Sequence, residues 1–154
     1  MTLRSDLSDA LKDAMRSKDE AGVSTLRMIL AGLKDRDIAA RTKGTGDPIA
    51  DPEILELLQK MVKQRQESIE LYKKGNRPDL VAKEEAEIKV IERFMPKQLS
   101  EEEVVGAIDQ AVAKTGAASI KDMGRVIAAL KESYAGRMDF ARASQLVKAR
   151  LGAS

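Results

Sequence analysis

The sequence contains neither cysteine nor histidine among its 154 residues. The absence of cysteine excludes disulfide bonds, thiolate nucleophiles and cysteine-based metal sites within this chain. The absence of histidine removes the commonest general base and a frequent metal ligand. We therefore predict no catalytic residue, no bound metal ion and no cofactor. The lack of cysteine, together with a charged amphipathic N-terminus unlike a signal peptide, also leads us to expect a cytoplasmic protein.

Aromatic side chains and long apolar runs are scarce as well. Phe, Trp and Tyr together make up 3% of the residues, and Trp is absent. No apolar run approaches the roughly 18 residues that a membrane span needs, so we expect no membrane partner. Hydrophobic residues nevertheless reach 43% and charged residues 34%. The chain can therefore bury a core of Leu, Ile, Val, Ala and Met beneath a heavily charged surface.

Apolar residues recur at three- and four-residue spacing along most of the chain, which is the period of an amphipathic α-helix. The clearest run follows Pro52 and extends from Ile54 to Tyr72, after a turn-rich loop at residues 42–48. No stretch bounded by Gly or Pro shows the alternation typical of a β-strand. We predict an all-α fold, with an N-terminal bundle of about four helices followed by a three-helix C-terminal tail.

A joint separates these two parts between Phe94 and Ser100. Pro96 disfavours helical geometry at the residue before it, so the preceding helix must end there. Ser100 and Glu103 then form the S-x-x-E pattern of a capping box, which starts a new helix. We predict an N-terminal helical domain at residues 1–95 and a C-terminal domain at residues 96–154.

The net positive charge is concentrated near the end of the chain. Residues 120–154 carry seven basic and three acidic side chains, an excess of +4, whereas residues 1–94 carry 18 of each. A local basic field attracts polyanions in a salt-dependent way. An ordinary solvated surface can have the same composition, so charge alone does not decide between the two interpretations.

Helical spacing places part of this charge beside two small residues. At roughly 100° per residue, Lys121 and Arg125 lie opposite the apolar face of their helix. Gly124 and Ala128 lie between that pair and Lys131. A glycine inside a helix costs about 1 kcal/mol relative to alanine, so Gly124 requires an explanation. Close approach of a phosphate backbone would explain it, and so would close packing of a neighbouring helix.

Two acidic clusters, at residues 84–87 and 101–103, are the remaining candidates for chemistry. Metal ligands must converge on one point, whereas nearby residues of a helix diverge around its axis. We therefore expect the first cluster to be exposed and salt-bridged. We expect the second to complement the positive end of a helix dipole.

A resemblance to the GatB/YqeY family runs through nearly the whole chain. Residues 25–39, which open with Thr25-Leu-Arg-Met-Ile-Leu30, are similar to the N-terminal part of stand-alone YqeY-like proteins. Four later segments resemble the family's interdomain joint and helical tail: Phe94–Glu103, Lys121–Leu130, Tyr134–Asp139 and Val147–Leu151. The chain departs from the family pattern at Ala128, where glycine is usual, and at Met138-Asp-Phe140, where Ala-Asp-Gly is commoner.

The resemblance implies an all-helical protein whose tail contacts tRNA, because the corresponding tail of the GatB subunit helps the tRNA-dependent amidotransferase to hold its tRNA. The amidating and glutaminase chemistry of that enzyme lies in other parts of it. This chain contains no phosphate-binding Gly loop and no recognisable Ser-Ser-Lys amidase arrangement. A family label of glutamine-dependent carbon–nitrogen ligase would therefore be inherited from the larger enzyme.

We predict a non-catalytic accessory protein that binds tRNA or takes part in tRNA metabolism. The main alternative is a helical module that docks another protein subunit, and the least favoured is a free-standing amidotransferase. The expected partner is tRNA. The candidate RNA-contact surface, which we call the basic strip, consists of Lys121, Gly124, Arg125, Ala128, Lys131 and Arg137.

Overall fold

The computed structural model describes residues 2–44 and 47–152. These ranges contain seven α-helices and one short 3-10 turn, Ile120–Asp122, and they contain no β-strand. The helices are α1 (Leu3–Arg16), α2 (Glu20–Thr42), α3 (Asp51–Lys74), α4 (Pro78–Glu92), α5 (Glu101–Thr115), α6 (Met123–Tyr134) and α7 (Phe140–Gly152). The prediction of an all-α fold is confirmed. Thr45 and Gly46 of the predicted loop lie outside the described ranges.

The chain divides into two compact units, Met1–Met95 and Pro96–Ser154, which we call the N-terminal and C-terminal units. The N-terminal unit contains α1 to α4, and the C-terminal unit contains α5 to α7. Each unit has an apolar cluster of its own. The two groups of helices therefore each bury their own apolar faces.

Aliphatic side chains form the centre of the N-terminal unit. Leu7, Leu26, Ile29, Leu58 and Ile91 are each at most 1% exposed. Helix α3 packs on α4, and α2 packs on both α1 and α4. Burial of one such side chain is worth about 1.5–3 kcal/mol. The helical period of the apolar residues thus decides which face of each helix enters the core.

Most helix ends follow local capping chemistry. The Thr2 hydroxyl accepts a hydrogen bond from the Ser5 amide and caps α1. Helix α3 begins at Asp51, but its N-cap is Ala50 and no side chain caps it. Asp51 therefore lies inside the first turn, where its charge still complements the helix dipole. Helix α4 ends at Glu92, four residues before Pro96.

A nearly buried ion pair joins α3 to α4. Arg65 Nε donates to Glu87 Oε2 at 3.1 Å, with side-chain exposures of 12% and 10%. The same guanidinium donates to the Met61 carbonyl at 3.1 Å. Burial, together with the neighbouring Glu87 carboxylate, raises the pKa of Glu84. The expectation that this acidic cluster is exposed is therefore wrong for Glu87, which is buried against an arginine of the preceding helix and is salt-bridged to it, whereas Glu85 is exposed.

The C-terminal unit begins with the predicted capping box. The Ser100 hydroxyl accepts from the Glu103 amide at 3.1 Å, and the Glu103 carboxylate accepts from the Ser100 amide at 3.0 Å. Gly116 caps the C-terminal end of α5, and its φ of 69° is the left-handed conformation that glycine adopts most readily. Both ends of α5 therefore follow from the sequence.

Two ion pairs establish the direction of α7. Arg142 pairs with Glu101 at 3.1 Å, and Arg150 pairs with Asp109 at 3.1 Å. The two partners lie eight residues apart on each helix and occur in the same order. Helices α5 and α7 therefore run parallel, with α6 running back between them. The apolar faces of all three helices meet in one cluster, in which Val126, Ala143 and Val147 are fully buried.

Candidate nucleic-acid interface

The basic strip begins at the turn that leads into α6. The Asp122 carboxylate accepts hydrogen bonds from the amides of Ala118 and Ser119, at 2.9 and 3.2 Å, and so holds this turn closed. These bonds, together with the Arg125 guanidinium, lower the pKa of Asp122 from 3.8 to about 2. Lys121, which points away from the core, is exposed at the same turn.

Arg125 is exposed but is already paired. Its Nη2 donates to Asp122 Oδ1 at 2.6 Å, and its Nη1 donates to the Thr115 carbonyl at 3.2 Å. The side chain remains 59% exposed. The carboxylate offsets much of its charge, and the bond to Thr115 attaches α6 to the C-terminal end of α5. The i, i+3 spacing of Asp122 and Arg125 is the signal from which the sequence could have revealed this pair.

Gly124 and Ala128 are both exposed on α6. A Cβ built on Gly124 would have no described atom within 4 Å, apart from its own chain neighbours and helix backbone. Among the described residues, no neighbouring helix therefore accounts for this glycine. Gly106 on α5 is equally open. Of the two explanations that the sequence left open for Gly124, packing within the chain is wrong, and approach by a ligand stays a prediction.

The other end of the strip contains two cation–aromatic pairs. Lys131 Nζ lies 5.9 Å from the centre of the Phe140 ring. The Arg137 guanidinium lies 5.8 Å from the centre of the Tyr134 ring, and its Nε donates to the Lys97 carbonyl at 3.0 Å. Arg137 is only half-exposed. It therefore attaches the α6–α7 loop to the joint, a role that residue spacing did not indicate.

The lysines and arginines of the C-terminal unit differ in their contacts. All four arginines bond to a carboxylate or a backbone carbonyl: Arg125, Arg137, Arg142 and Arg150. By contrast, the ammonium groups of Lys121 and Lys148 have no partner among the described residues, and both side chains are exposed. Sequence reasoning did not select Lys148, because helix α7 on its own gives no indication of which side faces α6.

The structure thus brings Lys121, Gly124, Ala128 and Lys131 together on the outside of α6. It gives Arg125 and Arg137 additional structural contacts. RNA binding by these residues stays a prediction. Across residues 2–44 and 47–152, no group of acidic side chains converges as metal ligands would. None of the described helices is long and apolar enough to cross a membrane.

Comparison with known proteins gives one family and a set of fungal relatives. The family model described as Yqey-like protein matches residues 4–151. Altered inheritance of mitochondria protein 41, mitochondrial, of Lachancea thermotolerans is 37% identical over 90 residues, which are 58% of this chain and 46% of that protein. An uncharacterized protein of Schizosaccharomyces pombe is 31% identical over 98 residues, which are 64% of this chain and 76% of that one.

A further relative, of the same name as the first, comes from Saccharomyces cerevisiae and is 32% identical over 108 residues, or 70% of this chain. The aligned part is about half the length of the relatives of that name. Their names contradict the expected cytoplasmic localisation, because they describe mitochondrial proteins. That expectation was wrong for a physical reason: a lack of cysteine excludes disulfides but does not distinguish one compartment from another.

Proposed function

Because the chain belongs to the Yqey-like protein family, we propose that it is a non-catalytic accessory protein that binds tRNA through its C-terminal unit. The observation that supports this most directly is the open surface of α6. There Lys121 and Lys131 flank Gly124 and Ala128, and no described atom lies within 4 Å of a Cβ built on the glycine.

The arrangement suits contact with a phosphate backbone better than recognition of bases. Lysine acts as a compact point charge with three donors on a flexible stem, which binds phosphate without selecting a sequence. The small residues between the two lysines leave the helix surface open to a bulky polyanion. Such contacts release condensed counterions, so the affinity should fall steeply as salt is added.

The paired arginines serve a different purpose in this proposal. Arg125 and Arg137 hold α6 to the end of α5 and to the joint, and so keep the lysines in place. Charge reversal at Arg125 would also leave Asp122 beside a second carboxylate and disturb the turn. The functional test is therefore made on the lysines, whose replacement leaves these bonds intact.

The test compares a double variant, Lys121→Glu with Lys131→Glu, with a matched control, Lys60→Glu with Lys74→Glu. The control lysines are exposed on α3 of the N-terminal unit, and both variants change the net charge equally. Binding of unfractionated tRNA is measured by fluorescence anisotropy across a salt series. The strip variant should bind more than about tenfold more weakly at low salt, whereas the control should stay near wild type.

The dependence on salt gives a second measurement. The slope of log K against log salt should become shallower by about 2 for the strip variant, because two phosphate contacts are lost. Circular dichroism should show unchanged helicity in both variants. Equal weakening by the two variants would mean that net charge, not the strip, governs binding, and the proposal would fail.

Docking of a protein subunit is the second candidate function, and it has its own supporting observation. Leu71 on α3 is 68% exposed and Met15 on α1 is 52% exposed. Docking a subunit over either side chain would remove its apolar surface from water, which is favourable. Wild-type protein that fails to bind tRNA even at low salt would favour this function over the first.

A further inference from the structure

The position of Lys148 can be worked out from the contacts of α7. Arg142 and Arg150 reach the carboxylates of α5, so their side of α7 faces α5. The fully buried Ala143 and Val147 mark the side that faces the core. At roughly 100° per residue, Lys148 and the two arginines lie on opposite flanks of the buried face of α7. That side of α7 borders α6.

The position of Gly124 follows from α6 in the same way. Arg125 reaches Thr115 and marks the side of α6 that faces α5. Lys131 lies over Phe140 and marks the side that faces α7. Gly124 precedes Lys131 by seven residues, which is two helical turns, so both lie on this second side.

The two positions also lie at the same level along the helices. Ile120 lies just before α6, and Gly152 lies at the end of α7. A Cβ built on Gly152 would be 3.5 Å from the Cδ1 atom of Ile120. Helices α6 and α7 are therefore antiparallel, with the start of one beside the end of the other. Gly124 follows Ile120 by one turn, and Lys148 precedes Gly152 by one turn. Lys148 thus lies across the α6–α7 groove from Gly124.

We propose that the groove between α6 and α7 is a binding site for a phosphodiester backbone, with Lys121 and Lys148 contacting phosphates on either side of Gly124. This proposal rests on the proposed function, and it assigns the contact with the RNA backbone to both α6 and α7 instead of α6 alone. The two lysines have no partner among the described residues. The arginines of α7, by contrast, point to the α5 side and are offset by carboxylates there. The uncompensated charge of α7 is therefore directed into the groove.

Gly124 gives the backbone room at the centre of this site. A side chain there would project into the space that a phosphate must occupy between the two lysines. No residue in the described ranges packs against this glycine, which lowers the stability of its helix relative to alanine. A close approach by the ligand backbone is one of the recognised reasons for placing glycine at such a position.

Two single variants with matched controls test the proposal, with unfractionated tRNA as the probe. Lys148→Gln should bind about fivefold more weakly at low salt, the factor expected for one exposed charge pair. Its salt slope should be shallower by about 0.9. Lys60→Gln, the control, removes the same charge from α3 and should bind like wild type.

The second variant is Gly124→Leu, with Gly106→Leu as its control. Both glycines are exposed, helical and without a described atom within 4 Å of an added Cβ, so both variants should fold with unchanged helicity. Only Gly124→Leu should weaken binding. Suppose that Lys148→Gln binds tRNA like wild type while the double variant Lys121→Glu with Lys131→Glu binds it more weakly. The groove between α6 and α7 is then rejected as the binding site, and the proposed function stands. If wild type shows no salt-sensitive binding, both fail.

Discussion

The buried ion pair of the N-terminal unit should make the stability of the protein depend on both of its partners being present. Arg65 and Glu87 are 12% and 10% exposed and bond at 3.1 Å. Replacement of Arg65 by methionine keeps an unbranched chain of similar length but removes the only cation bonded to Glu87 in the part of the chain that the structure describes. The carboxylate is then left buried beside Glu84, which carries a like charge.

The expected cost is about 3–5 kcal/mol in the free energy of unfolding, the range measured when one partner of a buried pair is removed. For a unit of this size, each kcal/mol lowers Tm by roughly 4–8 °C. The pair as a whole should be worth far less, because both groups lose hydration on burial. The double variant Arg65→Met with Glu87→Leu should therefore recover most of the loss and lie within about 1–2 kcal/mol of wild type.

The wild type, the two single variants and the double variant form a double-mutant cycle, and urea unfolding followed by circular dichroism measures the stability of each. Arg77→Met, with Asp79→Leu as its partner change, provides a matched cycle, because that pair lies in the same unit at 3.0 Å but is more than half exposed. Its single variants should cost far less than Arg65→Met, because solvent screens an exposed pair. The reasoning would be refuted if Arg65→Met cost less than the exposed control, or if the two buried substitutions were simply additive.

Two further predictions concern a buried hydroxyl and an acidic turn. Thr25 is fully buried, and its Oγ1 has no hydrogen-bond partner among the residues that the structure describes. Thr25→Val should therefore raise the free energy of unfolding by about 1 kcal/mol, whereas Thr25→Ser should lower it. Urea unfolding that ranks the two variants the other way would contradict this. Folding lowers the pKa of Asp122 from 3.8 to about 2, so the folded protein binds a proton at this carboxylate less readily than the unfolded chain does. The contribution of Asp122 to stability is therefore complete above pH 3.8 and is lost as the pH falls toward 2. The difference in Tm between wild type and Asp122→Asn should therefore shrink over that interval, and a constant difference would count against the assigned bonds.

Local patterns in the sequence were enough to predict the helices and the start of α5. Apolar residues at helical spacing identified the buried faces, because a helix enters a core with one side only. Ser100 and Glu103 identified the start of α5, because the groups that cap a helix lie within one turn of each other. These features depend on neighbours in the sequence, and they appear in the structure as predicted.

The partners of the charged side chains were decided by tertiary structure. Arg65 and Glu87 lie 22 residues apart, and Arg150 and Asp109 lie 41 apart, so no helical period connects them. Arg125 and Lys121 both lie opposite the apolar face of α6, but only Arg125 is paired. Its bond to Asp122 is local and could have been read from the sequence, whereas its bond to the Thr115 carbonyl depends on how α6 packs on α5. Lys148 joined the candidate site only when the packing of α7 showed which side meets α6. Helical period determines which way a side chain points from its own axis, but only packing determines what it meets.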